Sequence, residues 1–336
     1  MNTDSVVQSL LESDEPAIRF KIRTGYLGEA PNSKTIKSLR NEVRDSPLVA
    51  SLFQRRGKEC KIRGSVYAKW QGAHWIMATL ADIGYPTGDK SLLPIRDQLQ
   101  EHWLDEQFYQ EFEAETKAKA YSRHGVPVMQ GRHRRCASQH SNALWSILKL
   151  GIANERTHDF VERLLHWQWP DGGWNCDKNP KACHSSFMES ILPMRSLAYY
   201  GKLHDHKRAL EAAKSAADVF LKRHMYLRQS DESVIRGEFA ELHYPLYWHY
   251  DILQGLKVMA ESGFISDKRC KTALDLLASK RLPDGGWPAE KKYYKASNEF
   301  RLGNDYVDWG GTSKKKLNVW VTADSLYVLK AGGYIN

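Results

Sequence analysis

Two kinds of hydrophobic pattern alternate along the chain. Some segments are apolar on nearly every side, which is typical of helices buried inside a protein. Others carry one apolar and one polar face, which is typical of outer helices. Glycines end the segments of the first kind, and glycine readily takes the left-handed conformation that closes a helix. The closing glycines are Gly28, Gly84, Gly151, Gly201, Gly263 and Gly332.

The two patterns predict an alternating order of helices. We predict a helix pair in residues 10–29 and further inner helices in residues 67–80, 136–150, 185–200, 243–256 and 317–330. The amphipathic segments predict outer helices in residues 33–56, 90–104, 154–169, 205–223 and 267–280. Strand-like alternation is confined to residues 226–228 and 233–235, and residues 106–135 predict a long loop or a short inserted helix.

Inner and outer helices that alternate six times close naturally into a double ring. Such a ring buries its core only when it is closed, so we expect residues 1–336 to form a single domain. The expected fold is all-α, an α/α toroid of about six inner and six outer helices. The inner helices would run parallel to one another around a central cavity.

A glycine-rich turn marks where an outer helix passes into the next inner helix. The sequence PDGGW stands at residues 170–174 and again at residues 283–287, and VDWGG at residues 307–311 is a looser copy. We predict that these turns hold successive helices in register, with Asp171 as a turn and cap residue.

Composition indicates a globular protein with a large core, because 42% of the residues are hydrophobic, including 11 Trp and 16 Tyr. No run of about 18 apolar residues predicts a membrane span, and the first residues lack the features of a secretory signal. The five cysteines are odd in number and form no CxxC pair, which favours free thiols in a reducing compartment. We therefore expect a cytoplasmic protein, with peripheral membrane contact left open.

The formal net charge of +9 is distributed unevenly. No acidic residue lies between Glu115 and Glu155, whereas this interval holds seven lysines and arginines. The interval is either a solvated surface or a site for an anion such as phosphate, nucleic acid or anionic lipid. No helix-turn-helix, zinc-finger or RNP-type signature is present, so nucleic acid is not an expected partner.

Gln168, Gly172 and Trp174 follow a predicted helix with the spacing Gln-x3-Gly-x-Trp. This spacing resembles the QW repeat of squalene–hopene cyclases. The DGGW turns, the tryptophan content and the helix alternation resemble the α/α-toroid superfamily, which includes triterpene cyclases and the β subunits of protein prenyltransferases. The sequence around the turns is similar to bacterial prenyltransferase or squalene-oxidase repeat proteins. The resemblance implies a toroid that handles isoprenoids.

The chain departs from these families where their chemistry resides. Arg281 stands in the second turn at the place of the repeat glutamine. Class II terpene cyclases protonate an alkene with an Asp of a DxDD-type motif, and protein prenyltransferases bind zinc through an Asp-x-Cys pair and a later His. Neither motif is present, so a resemblance in fold does not establish the reaction.

Four ionisable residues in the predicted inner helices are candidates for catalysis. Such a group costs free energy inside a protein unless it is paired, and burial shifts its pKa. Each is therefore either an acid or base facing the cavity or a structural hydrogen-bonding group. The candidates are Glu189, His249, Asp251 and Asp324.

Aromatic residues of the inner helices are candidates to line the cavity, because aromatic faces stabilise carbocations. Packing between helices is the alternative role for each of them. Helix N-termini beside a cluster of arginines predict an anion-binding mouth. The candidate substrate-binding residues are Trp70, His74, Arg134, Arg135, His140, Tyr247, Trp248, Trp309 and Trp320.

Cys176, Asp177, Cys183 and His184 form a candidate metal group, because thiolate, carboxylate and imidazole suit zinc. The loop at residues 178–181 would bring the two pairs together. The spacing matches no standard zinc site, so turn and cap roles are the alternative. If the protein has a cofactor, the expected one is a zinc or magnesium ion.

Three functions follow from this sequence. The first is an isoprenoid-handling enzyme, cyclase-like or prenyltransferase-like, that binds an anionic-headed apolar small molecule in an aromatic-lined cavity. The second is a lyase or hydrolase of a polar substrate on the same fold. The third is a non-catalytic lipid-binding or scaffold protein. A dry apolar cavity would favour the first or third, and a polar cavity with paired carboxylates would favour the second.

Overall fold

A computed structural model describes residues 3–335, and this part of the chain is mostly helical. Its α-helices are α1 (Thr3–Leu11), α2 (Pro16–Lys21), α3 (Lys34–Arg44), α4 (Pro47–Leu52), α5 (Ala73–Ile83), α6 (Leu93–Trp103), α7 (Lys117–Ala120), α8 (Ala137–Lys149), α9 (Thr157–His166), α10 (Phe187–His204), α11 (Lys207–Leu221), α12 (Ile252–Ser262), α13 (Lys271–Ser279) and α14 (Val319–Ala331). Its strands are β1 (Glu111–Glu113), β2 (Val126–Met129), β3 (Arg132–His133), β4 (Lys295–Ala296) and β5 (Asn304–Asp305). Within residues 3–335, no helix is long and apolar enough to cross a membrane.

Six helices contact one another in chain order: α2, α5, α8, α10, α12 and α14. Helix α14 in turn contacts α2 and the π-helical turn Ile22–Tyr26 that continues it, so the order of contacts returns to its start. A second set packs against the first: α3 on α2, α6 on α5 and α8, α9 on α8, α11 on α10, and α13 on α12 and α14. The predicted division into inner and outer helices therefore appears as two packed layers.

The two DGGW turns share several equivalent contacts. Gln168 Nε2 donates to the carbonyl of Gly172 at 2.7 Å, and Arg281 Nε donates to the carbonyl of Gly285 at 3.0 Å. Arginine thus supplies in the second turn the donor that glutamine supplies in the first. The turn tryptophan of each copy donates its indole N–H to a carbonyl of the preceding outer helix, at 2.9 Å and 2.7 Å.

The turn tryptophans also join the next inner helix. The backbone N–H of Trp174 donates to Ser190 Oγ of α10, and that of Trp287 donates to Thr322 Oγ1 of α14, both at 2.9 Å. Asp171 accepts from the backbone N–H of Ser185 at 2.8 Å, just before α10 begins. Each turn therefore connects an outer helix to the following inner helix, as its position in the sequence predicts.

The inner helix predicted over residues 243–256 is wrong in its first half. Helix α12 begins at Ile252, and residues 243–250 form an irregular buried segment. Asp251 is the N-cap of this helix, and its carboxylate accepts from the backbone N–H of Gln254 at 2.8 Å. Aspartate favours a helix start over a helix interior, and Pro245 offers no N–H for a helical turn.

Two other predicted boundaries are also wrong. Helix α5 begins at Ala73 instead of residue 67, because Trp70 takes a positive φ of 72° that ends any regular turn there. Gly201 does not close α10, which continues to His204. A Cβ on Gly201 would lie 2.7 Å from the Leu210 side chain, so this glycine permits close packing of α10 and α11.

Residues 106–135 contain a small sheet that the sequence did not predict. Strand β2 pairs with β1 in parallel and with β3 in an antiparallel arrangement. The β-prone residues Val126 and Val128 lie in its central strand. The strand-like residues 226–228 and 233–235 form one isolated antiparallel bridge, between Leu227 and Val234.

Candidate functional site

A cavity of about 590 Å³ opens among the middle and C-terminal parts of the inner helices. Every helix of the inner layer contributes to its lining, and so do the loop after the π-helical turn and the start of α3. Its charged lining residues are Lys21, Lys37, Arg40, Asp82, Lys149, Arg195, Lys257, Glu261 and Asp324.

Four of these side chains form a closed ring of ion pairs. Lys21 Nζ lies 2.7 Å from Asp82 and 3.0 Å from Asp324, and Lys257 Nζ lies 2.7 Å from Asp82 and 2.9 Å from Asp324. The four side chains are only 4–8% exposed. Buried charges are tolerated when each is paired and hydrogen-bonded, and each ammonium here bridges both carboxylates.

A second ion pair extends the network toward the cavity mouth. Arg195 holds Glu261 through two hydrogen bonds, Nε at 2.5 Å and an NH2 nitrogen at 2.9 Å. Its guanidinium also lies 3.8 Å from Asp82 and stacks 3.5 Å from the centre of the Trp145 ring. A two-pronged guanidinium–carboxylate pair fixes geometry as well as charge, so this pair holds α10 and α12 at a set distance.

The network determines which groups stay charged. Burial alone would raise the pKa of Asp82, but Lys21, Lys257 and Arg195 hold that pKa well below its usual range. Burial alone would lower the pKa of Lys257, but Asp324 and Asp82 raise it. The carboxylate of Asp82 and the ammonium of Lys257 are therefore ionised at neutral pH.

Three further cations line the cavity without a carboxylate partner among residues 3–335: Lys37, Arg40 and Lys149. Arg40 donates to the backbone carbonyls of Gly84 and Tyr85. Lys149 is exposed to the cavity, yet surrounding protein replaces much of its bulk water, and this desolvation lowers its pKa. Six cations thus surround the cavity with three carboxylates, and the site has a net positive charge.

Aromatic rings form the less polar part of the cavity wall. They come from Phe20, Trp145, Tyr199 and Tyr327. Three of these rings lie against cations, with the Arg40 guanidinium 4.6 Å from Phe20, Arg195 at Trp145 and Lys149 Nζ 5.5 Å from Tyr199. The wall can therefore contact an apolar group beside an anionic one.

Asp324 is the one sequence candidate for catalysis that lines the cavity. Asp251 lies elsewhere, fully buried, and its Oδ2 accepts from His243 Nδ1 at 2.6 Å and from the backbone N–H of His243 at 2.9 Å. Its other oxygen caps α12, so both carboxylate oxygens of Asp251 are hydrogen-bonded.

His249 lies at a second, smaller cavity of about 120 Å³. Its ring stacks on Tyr293 with centroids 3.6 Å apart, and Lys69 Nζ lies 3.2 Å from its Nε2. Burial first, and then Lys69, lower the pKa of His249 to about 3, so the ring is neutral. The structure does not bring His249 and Asp324 together.

Glu189 is buried beside two thiols. Its carboxylate accepts from the backbone N–H of Ser138 at 3.1 Å and from the Cys176 thiol at 3.6 Å. Burial raises the pKa of Glu189. Cys136, Cys176 and Glu189 place one ligand atom each within 4.8 Å of one another.

The predicted metal group does not assemble as drawn from the sequence. Asp177 instead caps a turn by accepting from the backbone N–H of Asn179 at 2.9 Å, and Cys183 is exposed. Asn175 Nδ2 donates to the carbonyl of His184 at 2.9 Å, so the ends of the loop do lie close together. Among the described residues, however, Cys176 is grouped with Cys136 and Glu189, and not with Asp177, Cys183 and His184. Two thiols and a carboxylate are a donor set that zinc accepts, so Cys176 remains a candidate ligand with Cys136 and Glu189 as partners.

The predicted cavity aromatics instead fill the protein interior. Trp70 packs 5.1 Å from Trp75, and Trp309 packs 4.9 Å from Trp320. These rings occupy the N-terminal half of the inner layer, so the open space lies at the opposite ends of the helices. The predicted residues that do not line the large cavity are Trp70, His74, Arg134, Arg135, His140, Tyr247, Trp248, Trp309 and Trp320.

Arg134 and Arg135, the arginines of the predicted anion-binding mouth, lie outside the large cavity. Arg134 is 2% exposed, donates to the carbonyl of Ala182 at 2.9 Å and stacks 4.5 Å from the centre of Trp169. Arg135 stacks against Phe108. These arginines pack against aromatic side chains and are absent from the lining of the large cavity.

The sequence contained a signal for the residues that do line the cavity. Asp82 and Lys257 are each a lone charge within an otherwise apolar stretch of a buried helix. Such a charge has to be paired with a charge elsewhere in the chain. The signal shows that partners exist, but it does not identify them.

No family model and no curated protein matches this chain. Among solved structures, it is similar to the type II terpene cyclase MstE from Scytonema. A variant of that enzyme in complex with geranylgeranyl dihydroxybenzoate is 14% identical, with a TM-score of 0.31, over 86% of this chain and 96% of that chain. The apo enzyme is 12% identical, with a TM-score of 0.29 over the same shares. At these TM-scores the similarity assigns neither an activity nor a substrate.

Proposed function

We propose that this protein is an α/α toroid that binds a small anionic molecule in the large cavity among its inner helices. The order of contacts from α2 to α14 and back supports the toroid. The observation that supports the ligand is the charge of the cavity wall, where six cations face three carboxylates. The three carboxylates are already neutralised by Lys21, Lys257 and Arg195.

Lys37, Arg40 and Lys149 are the groups that would contact the anion. Lysine ammonium groups and a guanidinium are the usual protein ligands of phosphate and carboxylate oxygens. The cavity volume of about 590 Å³ falls in the range of roughly 300–1,000 Å³ typical of small-molecule sites. A phosphate ester, a sugar phosphate or a carboxylic acid would fit this combination of size and charge.

Both cavity aspartates are engaged, which argues against an acid of the terpene-cyclase type at this site. Protonation of an alkene requires a neutral carboxylic acid, whereas the pKa of Asp82 is held well below its usual range. Each oxygen of Asp324 accepts a hydrogen bond from a lysine. The polar cavity therefore favours a polar anionic ligand. If the protein is an enzyme, this cavity favours a lyase or a hydrolase over a terpene cyclase.

An isoprenoid diphosphate is the second candidate ligand. Its diphosphate group would supply the anion, and Phe20, Trp145, Tyr199 and Tyr327 would contact the hydrocarbon. The two candidates share the anionic group and differ in the apolar tail. A comparison of affinities can therefore separate them.

Isothermal titration of the full chain with inorganic pyrophosphate at low salt tests the proposal. We expect binding to the wild type and about tenfold weaker binding to Lys149→Ala and to Lys37→Ala, because each removes one charge-assisted contact. The matched control is Lys222→Ala, which removes an exposed lysine outside the cavity. Absence of binding, or equal affinity for wild type and Lys149→Ala, would overturn the proposal.

The same titration with geranylgeranyl diphosphate separates the two ligand classes. Each methylene group that is buried would strengthen the binding free energy by about 0.8 kcal/mol. An isoprenoid site should therefore bind this compound far more tightly than pyrophosphate. Equal affinities favour the polar ligand. Turnover of a bound ligand then separates an enzyme from a binding protein.

A further inference from the structure

Three side chains from separate elements meet outside the large cavity, and none of them belongs to its lining. Glu111 lies in β1, His133 in β3, and His166 is the last residue of α9. Glu111 Oε1 lies 2.7 Å from His166 Nε2, and its Oε2 lies 3.2 Å from His133 Nε2. One ligand atom from each of the three lies within 4.8 Å of the other two.

The register of the sheet explains why two of these residues share a face. Glu111 pairs with Val126, and His133 pairs with Val128. Val126 and Val128 are two positions apart on β2, so their side chains, and those of their partners, point to the same side of the sheet. The sheet therefore presents Glu111 and His133 together.

The third residue comes from the helical layer. His166 ends α9, and its ring lies 4.6 Å from that of His133 with an angle of 52° between the planes. Trp169, in the turn after α9, donates its indole N–H to the carbonyl of His133 at 2.8 Å. This bond fixes the end of β3 against the turn, so the two imidazoles are held side by side.

We infer that Glu111, His133 and His166 form a site for a divalent transition-metal ion, and that Zn²⁺ is the ion best suited to it. Two imidazole nitrogens and a carboxylate are three of the ligands that Zn²⁺ takes, with a fourth position left for water. Glu111 is 37% and His166 59% exposed at the side chain, so the ion and the water have access. A bound ion would hold the inserted sheet to α9.

A simple ion pair is the competing arrangement. In that case each imidazole donates its Nε2 hydrogen to one carboxylate oxygen, and no metal is needed. The two arrangements differ in a measurable way, because a metal ion replaces both hydrogens and requires all three side chains at once. Loss of any one of them should then weaken binding strongly.

Cobalt titration of the full, tag-free chain after chelator treatment tests the inference. We expect one Co²⁺ per chain with visible bands of nitrogen and oxygen ligation, displaced by Zn²⁺. His166→Ala and Glu111→Gln should each weaken the affinity by about 100-fold or more. Loss of a residue that only hydrogen-bonds to a metal ligand already costs up to about 100-fold. Thermal unfolding of the wild type, but not of these variants, should shift upward with Zn²⁺.

His124→Ala is the matched control, because it removes another exposed histidine of the same insertion. This variant should bind like the wild type. Absence of binding to the wild type overturns the inference, and so does binding that survives in both His166→Ala and Glu111→Gln. An intense thiolate charge-transfer band that disappears in Cys176→Ser, with no effect of His166→Ala, would place the ion at the thiols and also overturn it.

Discussion

Lys257 and Asp82 lie on inner helices that are not neighbours in the order of helix contacts, yet Lys257 Nζ is 2.7 Å from the nearer carboxylate oxygen of Asp82. Their helices, α12 and α5, are three steps apart in the order of helix contacts. The contact therefore crosses the space between the inner helices. Where it crosses, paired charged side chains occupy that space. Lys21 and Asp324 complete the same layer.

Replacement of Lys257 by methionine should destabilise the protein severely. The change leaves Asp82 and Asp324 with one ammonium between them in a buried place, and breaking a buried ion pair in this way costs about 3–5 kcal/mol. Urea unfolding followed by circular dichroism measures the loss. Lys271→Met, in an exposed pair with Asp275, is the control and should unfold like the wild type.

A double variant distinguishes lost pairing from lost packing. Lys257→Met with Asp82→Asn removes one charge of each sign, so it should be less destabilised than the sum of the two single variants. Strict additivity would show that the two side chains do not interact in the folded protein.

Asp305 should make stability depend on pH in a mildly acidic range. Burial raises the pKa of Asp305 from 3.8 to about 6, although the backbone N–H of Val307 and the indole of Trp309 donate to it. The folded state binds the Asp305 proton more tightly than the unfolded state does. The contribution of Asp305 to the free energy of unfolding is therefore greatest below pH 3.8 and falls as the pH rises through about 6. The expected loss is about 3 kcal/mol.

Asp305→Asn should remove this part of the pH profile, because asparagine retains a carbonyl acceptor and does not titrate. Chemical unfolding at a series of pH values gives the difference between variant and wild type. The variant should gain stability relative to the wild type between pH 3.8 and 6. A difference that stays constant over that range contradicts the shifted pKa.

The two DGGW turns should respond differently to the same substitution. Gly172 and Gly285 both have positive φ, 99° and 92°, so alanine is strained at each by roughly 1–2 kcal/mol. A Cβ at Gly172 would also lie 2.4 Å from the backbone oxygen of Ser215, whereas at Gly285 the nearest atom is the end of the flexible Arg281 side chain at 3.4 Å. Gly172→Ala should therefore lower the melting temperature more than Gly285→Ala. Equal losses would mean that the backbone near Ser215 moves freely.

Salt should weaken pyrophosphate binding if the cavity cations contact the anion. The Debye length falls from about 30 Å at 0.01 M salt to about 10 Å at 0.1 M. The wild-type affinity should fall over this range, and Lys149→Ala should show a smaller fall because one interacting charge is missing. Parallel dependences in the two proteins would argue against a role for Lys149.

The helical layers could be predicted because their signal is local. A helix that is apolar on all sides has to be buried, and this pattern correctly located α8 and α14 within a few residues, as the amphipathic pattern located α11. The pattern failed at residues 243–250, where tyrosines and tryptophan fill the interior without forming a helix. A hydrophobic pattern predicts that a segment is buried, but it does not predict its backbone conformation. In residues 243–250 that conformation depends on the cap at Asp251 and on side-chain packing.

The cavity could not be predicted because its residues are scattered over the whole chain. Lys21, Asp82 and Lys257 are single charges far apart in sequence, and only the packing of their helices brings each lysine within 3 Å of Asp82. Aromatic residues are more numerous than such charges in the predicted inner helices, so a prediction from the sequence alone favours an aromatic-lined cavity. Asp324 was found because it too is a charge inside an apolar helix.

The hydrogen bond between Lys21 and Asp324 spans 303 positions of the chain. During synthesis Lys21, Asp82 and Lys257 are all made before Asp324, which arrives with α14. Until that helix docks, the interior holds two lysines and one aspartate, and water has to solvate the unmatched charge. Contacts of such sequence separation form slowly. The network of four buried charges is therefore completed only after α14 has been made and has packed against α2 and α12.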